Sequence, residues 1–393
     1  MMRSEHRSWL SSNSQSAPPC RVLKRRLHLD DEVLEGLKEG PIYAERLAVR
    51  GPIERRSMAM EYRGLGRTGV QVSALCLGGM LYGEPTDEVE ALTIVDRALD
   101  AGVNFVDTAN IYNRGRSEEI IGRALRRDGR RARVVLATKV HGHMDDHDPN
   151  AWGNSRRHIL EQCEASLRRL QTDVIDLYQL HRPMSTIPID ETLRALDDLV
   201  RSGKVRYLGT STFAAWQLVE ALWVSKELGL HRVVCEQPPY HLLDRRIERE
   251  LVPMAQTYGL ALIPWSPLAG GFLSGKYHRG EPPPMGSRLG QNPQGTDPHF
   301  TDATFQVLEV VQALAREKRA TPSQLALAWV AQQPGITSAI IGPRTLAQCE
   351  DCLGAMDVRL TAEDWARLDA AAPPGRALVS YYEADFGPHR FRW

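Results

Sequence analysis

Three things are missing from this 393-residue chain. The first is net charge: Lys+Arg and Asp+Glu each number 49, so no bulk field favours nucleic acid or a membrane surface as partner. The second is a cysteine framework. Cys20, Cys76, Cys163, Cys235, Cys349 and Cys352 are scattered, unlike the spacing of a disulfide-stapled secreted domain, and a reduced, cytoplasmic setting is the expectation. The third is a long apolar run: nothing approaches the roughly 20 residues that span a bilayer. Residues 1–16 are also polar and interrupted by charge, unlike the core of a signal peptide. What is present is 42% apolar residues, enough for a sizeable core. The length suits one large or two ordinary domains, and β/α barrels use about 250 residues or more as a single domain.

Residues 1–59 differ from the rest. They are rich in Arg, Ser and Pro, with only 30–38 weakly helical in pattern. They read as a mostly disordered extension, with a basic arm or an over-long start assignment as alternatives. Met60 opens a well-patterned segment. From Ala74 onward, short apolar runs alternate with amphipathic stretches. Candidate strands fall at 74–77, 103–106, 134–139, 174–179, 205–209, 233–236, 260–264 and 339–341. Candidate helices fall at 87–101, 117–128, 155–170, 190–202, 213–229, 244–258, 302–318, 322–333, 345–355 and 361–372, before an aromatic-rich tail ending at Trp393. Eight strands with following helices predict an α/β fold, a closed (β/α)8 barrel. A doubly wound open sheet shows the same alternation.

Gly64-Leu65-Gly66-Arg67-Thr68-Gly69 matches the spacing of a dinucleotide-binding loop. That loop must join a strand to a helix, so that pyrophosphate meets the helix N-terminus. Here Val70 to Leu77 alternates or runs apolar like strand, and Thr68-Gly69 reads as a hairpin turn.

Asp107, Tyr112, Lys139 and His181 each stand at or just beyond the end of an apolar run. In a parallel β/α barrel the active site lies where strands end. The chain would therefore bring a carboxylate, a phenol, an amine and an imidazole to one small area, a set suited to proton delivery to a carbonyl. A free phenol, with a pKa of about 10, is a weak acid at neutral pH. A neighbouring ammonium favours the phenolate, a role for Lys139, which Asp107 can pair and orient. His181 can hydrogen-bond the substrate oxygen. Singly, each has a bland reading as helix cap, solvated charge or core histidine; jointly, at consecutive strand ends, those readings fail.

These segments resemble the aldo-keto reductase family. Those that carry the likeness are Gly102-Val103-Asn104-Phe105-Val106-Asp107-Thr108-Ala109-Asn110-Ile111-Tyr112, Ala137-Thr138-Lys139 and Asp176-Leu177-Tyr178-Gln179-Leu180-His181. The resemblance covers 62–355. It implies a (β/α)8 barrel with a hairpin across its bottom and an NADPH-dependent carbonyl reductase, NADH serving less well. It also implies Asp107, Tyr112, Lys139 and His181 as the catalytic four. Gly79 and Met80, after the first strand, are implied at the cofactor. Ser211 and Thr212 resemble the segment that holds the nicotinamide carboxamide, Thr212 standing where the family has Asn. Gln237 resembles a second carboxamide ligand. Trp265 stands where an aromatic stacks on the nicotinamide ring. Ser266, Pro267, Leu268, Gly270 and Gly271 follow, and could bring backbone N–H groups to the pyrophosphate. Gly342, Arg344 and Gln348 resemble the site for the adenosine 2′-phosphate and adenine, with Arg344 suited to bidentate phosphate pairing. Asp351 and Cys352 fall where the family often has Glu-Asn. Lys276 favours NADP, and Arg288 sits in a long loop, 268–301, that could fold over the cofactor.

Two metal-like patterns have plainer readings. Cys349 and Cys352 lie inside one predicted helix without a second pair. His141, His143 and His147 follow Lys139 in a strand-end loop, where substrate contact or a polar rim accounts for them without metal. Within the family the chain resembles the branch of potassium channel β subunits and their bacterial relatives, on the Trp265-Ser266-Pro267-Leu268 and Gln237-Pro238-Pro239-Tyr240 segments. That branch raises a rival: a low-turnover NADP(H)-binding redox sensor or accessory subunit. A keto-sugar reductase is a third reading. The expected partner is a small-molecule carbonyl substrate, with no metal, nucleic acid or membrane, and oligomeric state is not legible.

Overall fold

The computed structural model describes residues 60–291 and 297–379. The reading of 1–59 as an extension and the tail to Trp393 lie outside the described residues. The described chain opens with β1 (Tyr62–Gly64) and β2 (Gln71–Ser73), antiparallel with Gly64 opposite Gln71. The glycine-rich run is thus a hairpin connection, and the Leu65 N–H donates to Val70 O at 2.8 Å. Gly66 is left-handed at φ 58°, and a Cβ there would lie 2.6 Å from Val234 O and 2.9 Å from Gly259 O. Both backbone conformation and space therefore demand glycine.

Eight parallel strands follow among the described residues: β3 (Leu75–Gly78), β4 (Phe105–Asp107), β5 (Val135–Val140), β6 (Ile175–Leu180), β7 (Val205–Ser211), β8 (Val233–Gln237), β9 (Ala261–Leu262) and β10 (Ala339–Ile341). They are ordered β10-β3-β4-β5-β6-β7-β8-β9. The ends of that order meet, because the Ile340 N–H donates to Pro264 O at 2.9 Å and the Thr337 N–H to Leu262 O at 2.8 Å. The sheet is the expected (β/α)8 barrel.

The helices are α1 (Glu88–Asp100), α2 (Arg116–Arg126), α3 (Arg156–Leu170), α4 (Ile189–Arg201), α5 (Ala215–Glu227), α6 (Leu251–Tyr258), α7 (Asp302–Glu317), α8 (Pro322–Ala331), α9 (Leu346–Leu353) and α10 (Ala362–Ala371). Side chains of Asp87, Ser155, Thr301, Thr321, Thr345 and Thr361 each accept the N–H three residues on. Such a cap stabilises by about 1 kcal/mol. One expectation needs correcting. The helix over 244–258 is only Leu251–Tyr258, preceded by a short 3-10 turn at Arg246–Glu248. Pro253 explains this: it lacks an N–H and its ring crowds the carbonyl four residues back, so it is tolerated only in a first turn.

Two apolar layers hold the barrel. One lies between strands and helices. The other fills the interior, where Leu65 and Val72 of the hairpin region pack with Cys76, Phe105, Ala137, Leu177, Cys235, Ala261, Ile263 and Ile340. Burying a side chain such as Leu177 stabilises by roughly 1.5–3 kcal/mol. Strand side chains alternate, so the next inward position lies two residues on. From Phe105, Ala137, Leu177 and Cys235 that step gives Asp107, Lys139, Gln179 and Gln237, all buried. A dry apolar floor thus carries a polar layer at the strand ends. Among the described residues no helix is long and apolar enough to cross a membrane.

Candidate active site

Asp107 closes β4 and Lys139 lies in β5, one strand over. The Lys139 ammonium donates to Asp107 Oδ2 at 2.5 Å and to Thr108 O at 2.8 Å, and reaches the Tyr112 hydroxyl oxygen at 3.2 Å. Burial alone would lower the Lys139 pKa. Asp107 and then Tyr112 more than offset this and hold the ammonium above the ordinary lysine range. Tyr112 opens the turn Tyr112–Gly115, in which Asn113 and Arg114 are left-handed at φ 47° and 51°. Asn is among the residues that tolerate this region. The Asn113 side chain pins the turn by donating to Tyr82 O at 2.8 Å and Glu84 O at 3.0 Å.

His181 follows β6, its Nε2 3.4 Å from the Tyr112 oxygen and its ring edge-on to the phenol. Burial, then the positive charges of Lys139 and Arg182, push His181 well below the usual imidazole range. It is therefore a neutral imidazole at physiological pH. The four residues picked out by strand-end position share one site, where a carbonyl oxygen could meet both the phenol and the imidazole.

Sequence reasoning assigned no role to Gln179. It is wholly buried and its Nε2 donates to Asp107 Oδ1 at 2.9 Å. Its signal was the register, because Gln179 pairs with Lys139 across β5 and β6 and shares its inward face. Gln237 also turns inward, its Nε2 3.0 Å from Asp107 Oδ1 and 3.3 Å from Gln179 Oε1.

From Tyr112 and His181 a cavity of about 630 Å³ extends across the strand ends. Met80, Ser211, Gln237 and Trp265 line its inner part, and Ser266, Pro267, Leu268 and Gly270 its wall. Lys276, Arg288, Gly342, Arg344, Gln348 and Asp351 line the far part. Two of the cofactor candidates fall outside that lining. Gly79 is turned to the protein, where a Cβ would come within 2.6 Å of Ile121 Cδ1, and its neighbour Gly78 lines the cavity instead. Thr212 is buried behind the wall, accepting from Arg182 Nη1 at 2.9 Å.

Two of the expected pyrophosphate donors are engaged within their own loop. The Gly270 N–H donates to Ser266 Oγ at 3.0 Å and the Gly271 N–H to Leu268 O at 2.9 Å. Left-handed Ser266, Ala269, Gly270 and Gly271 wind the loop so tightly that it satisfies these groups itself. At the far end, the Arg344 guanidinium donates to Gly286 O at 3.1 Å, and its N–H donates to Gln348 Oε1 at 2.9 Å. Burial, then Arg344, lowers the Lys276 pKa; two cations there leave room for an anion of the cavity's ligand. Asp351 accepts from Thr321 Oγ1 at 2.8 Å.

The metal-like patterns resolve differently. His143 stacks on Trp152 at 5.2 Å, His141 stands edge-on to the same indole, and His141 Nδ1 meets Asn154 Oδ1 at 3.0 Å. Cys349 and Cys352 are free and buried, their thiols pushed up by burial to about 11 and about 12. Among the described residues no group of three or more His, Cys, Asp or Glu could hold a metal ion.

The profile of the aldo/keto reductase family matches residues 74–373, three quarters of the chain and the whole barrel. The chain belongs to the aldo/keto reductase family. It is an oxidoreductase acting on carbonyl groups, and members of its family generally bind a nicotinamide cofactor. Among its relatives, the uncharacterized oxidoreductase YrpG of Bacillus subtilis (strain 168) is 42% identical over 334 residues, 82% of this chain and 99% of that protein. A probable voltage-gated potassium channel subunit beta of Oryza sativa subsp. japonica is 39% identical over 317 residues, 79% of this chain and 96% of that protein. Versiconal hemiacetal acetate reductase of Aspergillus parasiticus is 34% identical over 343 residues, 80% of this chain and 98% of that protein. The resemblance read from the strand-end residues thus points to the right family, and a potassium channel β subunit stands among the relatives, in keeping with the Trp265 and Gln237 segments.

Proposed function

We propose that this aldo/keto reductase reduces an aldehyde or ketone to the alcohol with NADPH, and that Tyr112 delivers the proton. The observation that carries the reading is the Lys139 ammonium, held 2.5 Å from Asp107 and 3.2 Å from the Tyr112 oxygen, with neutral His181 3.4 Å from that same oxygen. NADPH, when bound, supplies a hydride from nicotinamide C4 to the carbonyl carbon. Tyr112 protonates the carbonyl oxygen as charge develops there. Lys139 stabilises the phenolate left behind, which recovers a proton from solvent. Asp107 holds Lys139 in place, and His181 orients the carbonyl oxygen by hydrogen bonding. Run backwards, the same groups oxidise an alcohol.

The cavity's donor set fits the cofactor. Trp265 offers a flat face near the proton donor, Gln237 a carboxamide, and Arg344 with Lys276 a cationic end suited to a 2′-phosphate. NADPH is accordingly preferred over NADH. The potassium channel relative supports a second reading, in which the bound cofactor is retained and turnover is negligible. Measuring NADPH consumption over a panel of aldehydes, ketones and keto sugars, with Tyr112→Phe alongside, separates the two. Turnover in the parent that collapses in the variant, while NADPH still binds, is the expected result. Absence of turnover, with tightly held cofactor in both proteins, would establish the second reading.

A further inference from the structure

Asp107 Oδ1 is where two carboxamides meet. Gln179 donates to it at 2.9 Å and Gln237 at 3.0 Å, while Oδ2 is taken by Lys139. The remaining Nε2 hydrogen of Gln237 points to Gln179 Oε1 at 3.3 Å. Both hydrogens of the Gln237 amide are thus consumed within the protein. Among the described residues none donates to Gln237 Oε1, and Gln237 lines the cavity. The opposite orientation would set Oε1 against two acceptors in a buried layer, leaving donors and acceptors unmatched.

The slot for Gln179 is built by its neighbour. Gly209 pairs with Gln179 across β6 and β7. A Cβ at Gly209 would come 2.9 Å from Gln179 Cγ and 3.2 Å from Leu177 Cδ1. Gly209 has no left-handed φ, so it is the space, not the backbone conformation, that calls for glycine. A leucine at 179 would fill that space without burying any polar group, and packing alone therefore gives no reason for glutamine.

We infer that Gln179 is a positioning residue that, together with Asp107, fixes which way the Gln237 amide faces. The nitrogen turns in to Asp107, and the oxygen is offered to the cavity as an acceptor. On the cofactor reading proposed above, on which this rests, that acceptor selects the NH2 group of the nicotinamide carboxamide. Gln237 and Gln179 then link the cofactor's ring to the carboxylate that holds Lys139.

The test compares binding of NADP+ with its 3-acetylpyridine analogue, which carries a methyl ketone in place of the carboxamide and cannot donate. Quenching of tryptophan fluorescence gives both dissociation constants. The parent should prefer NADP+ by roughly tenfold, the size of one oriented hydrogen bond. Gln179→Leu removes one of the two acceptors that hold the Gln237 nitrogen inward, and the preference should fall severalfold. Gly209→Ala retains every hydrogen-bonding group and crowds Gln179 most closely, so it should erode the preference in the same direction. In a double-mutant cycle, Gln179→Leu with Gln237→Leu should cost no more preference than Gln237→Leu alone. An unaltered preference in Gln179→Leu, or in Gly209→Ala should the first variant not fold, overturns the assignment of Gln179 and leaves the reductase reading standing. A parent protein that binds neither nucleotide would overturn the cofactor reading and this inference with it.

Discussion

Lys139 Nζ lies 2.5 Å from Asp107 Oδ2, with the two side chains 0% and 3% exposed. Two opposite charges have been taken out of water, and each is tolerable only because the other is there. Removing one partner of such a pair costs about 3–5 kcal/mol, since it strands a buried charge. Lys139→Met should fall in the lower half of that range, because Gln179 and Gln237 still donate to Asp107. Adding Asp107→Leu should restore a good part of the loss while activity stays abolished. Chemical denaturation of the parent and the two variants checks this. A Lys139→Met protein as stable as the parent would mean the pair is not buried in solution.

The Arg344 guanidinium donates to Gly286 O, tying the segment just before α9 to the loop that carries Arg288. An arginine that pairs a 2′-phosphate contributes charge-assisted hydrogen bonds that NADH cannot use. Arg344→Ala should therefore weaken NADPH binding about ten- to a hundredfold and leave NADH nearly untouched. Titrating both nucleotides decides it. Equal losses for the two would place the role of Arg344 in the loop rather than at a phosphate.

The barrel was legible because eight apolar runs recur with amphipathic stretches between them, and parallel strands buried on both faces have that look. The catalytic candidates were legible because each interrupts the end of such a run. Gln179 was missed because it lies inside its run, one residue short of Leu180, where a polar side chain looks like noise unless the inward register is followed from Lys139. Thr212 was placed in the cavity on resemblance, but it stands just beyond β7 with a left-handed backbone, its hydroxyl turned to Arg182 and Ser211 O. The donors at Gly270 and Gly271 could not be judged from composition. Whether a glycine N–H faces a ligand or its own loop depends on a run of left-handed residues that no spacing rule reveals. Pro253, by contrast, marked in the sequence itself where the sixth helix had to start.

His181 is pushed well below the usual imidazole range by burial, Lys139 and Arg182. Held in the neutral form, it has no proton to lose as pH rises through the usual imidazole range. The rate of carbonyl reduction should therefore show no inflection near pH 6.5 that belongs to this residue. His181→Asn should lower kcat and leave the shape of the profile between pH 6 and 8 unchanged. An inflection near 6.5 that is present in the parent and absent in the variant would show that the imidazole titrates during turnover.

Glu236 precedes Gln237 and points the other way, into a buried space at the start of α5. It accepts from Thr210 Oγ1 at 2.5 Å and from the Phe213 N–H at 3.1 Å. Arg182 is the charged group whose field reaches it. Burial outweighs these donors and raises the carboxyl from the ordinary 4.5 to about 8. A carboxyl whose pKa is higher folded than unfolded contributes stability that is complete below the unfolded value. As pH rises past 4.5 the unfolded chain gives up this proton and the folded chain does not, so stability declines until about pH 8 and then levels. Glu236→Gln removes the titration and keeps the shape. At pH 5 parent and variant should melt together. The variant should gain steadily above that, reaching an advantage on the order of a few kcal/mol at pH 8. Melting temperatures across pH 5–9 measure the difference, and a gap that stayed constant with pH would show that Glu236 is ionised in the folded protein throughout.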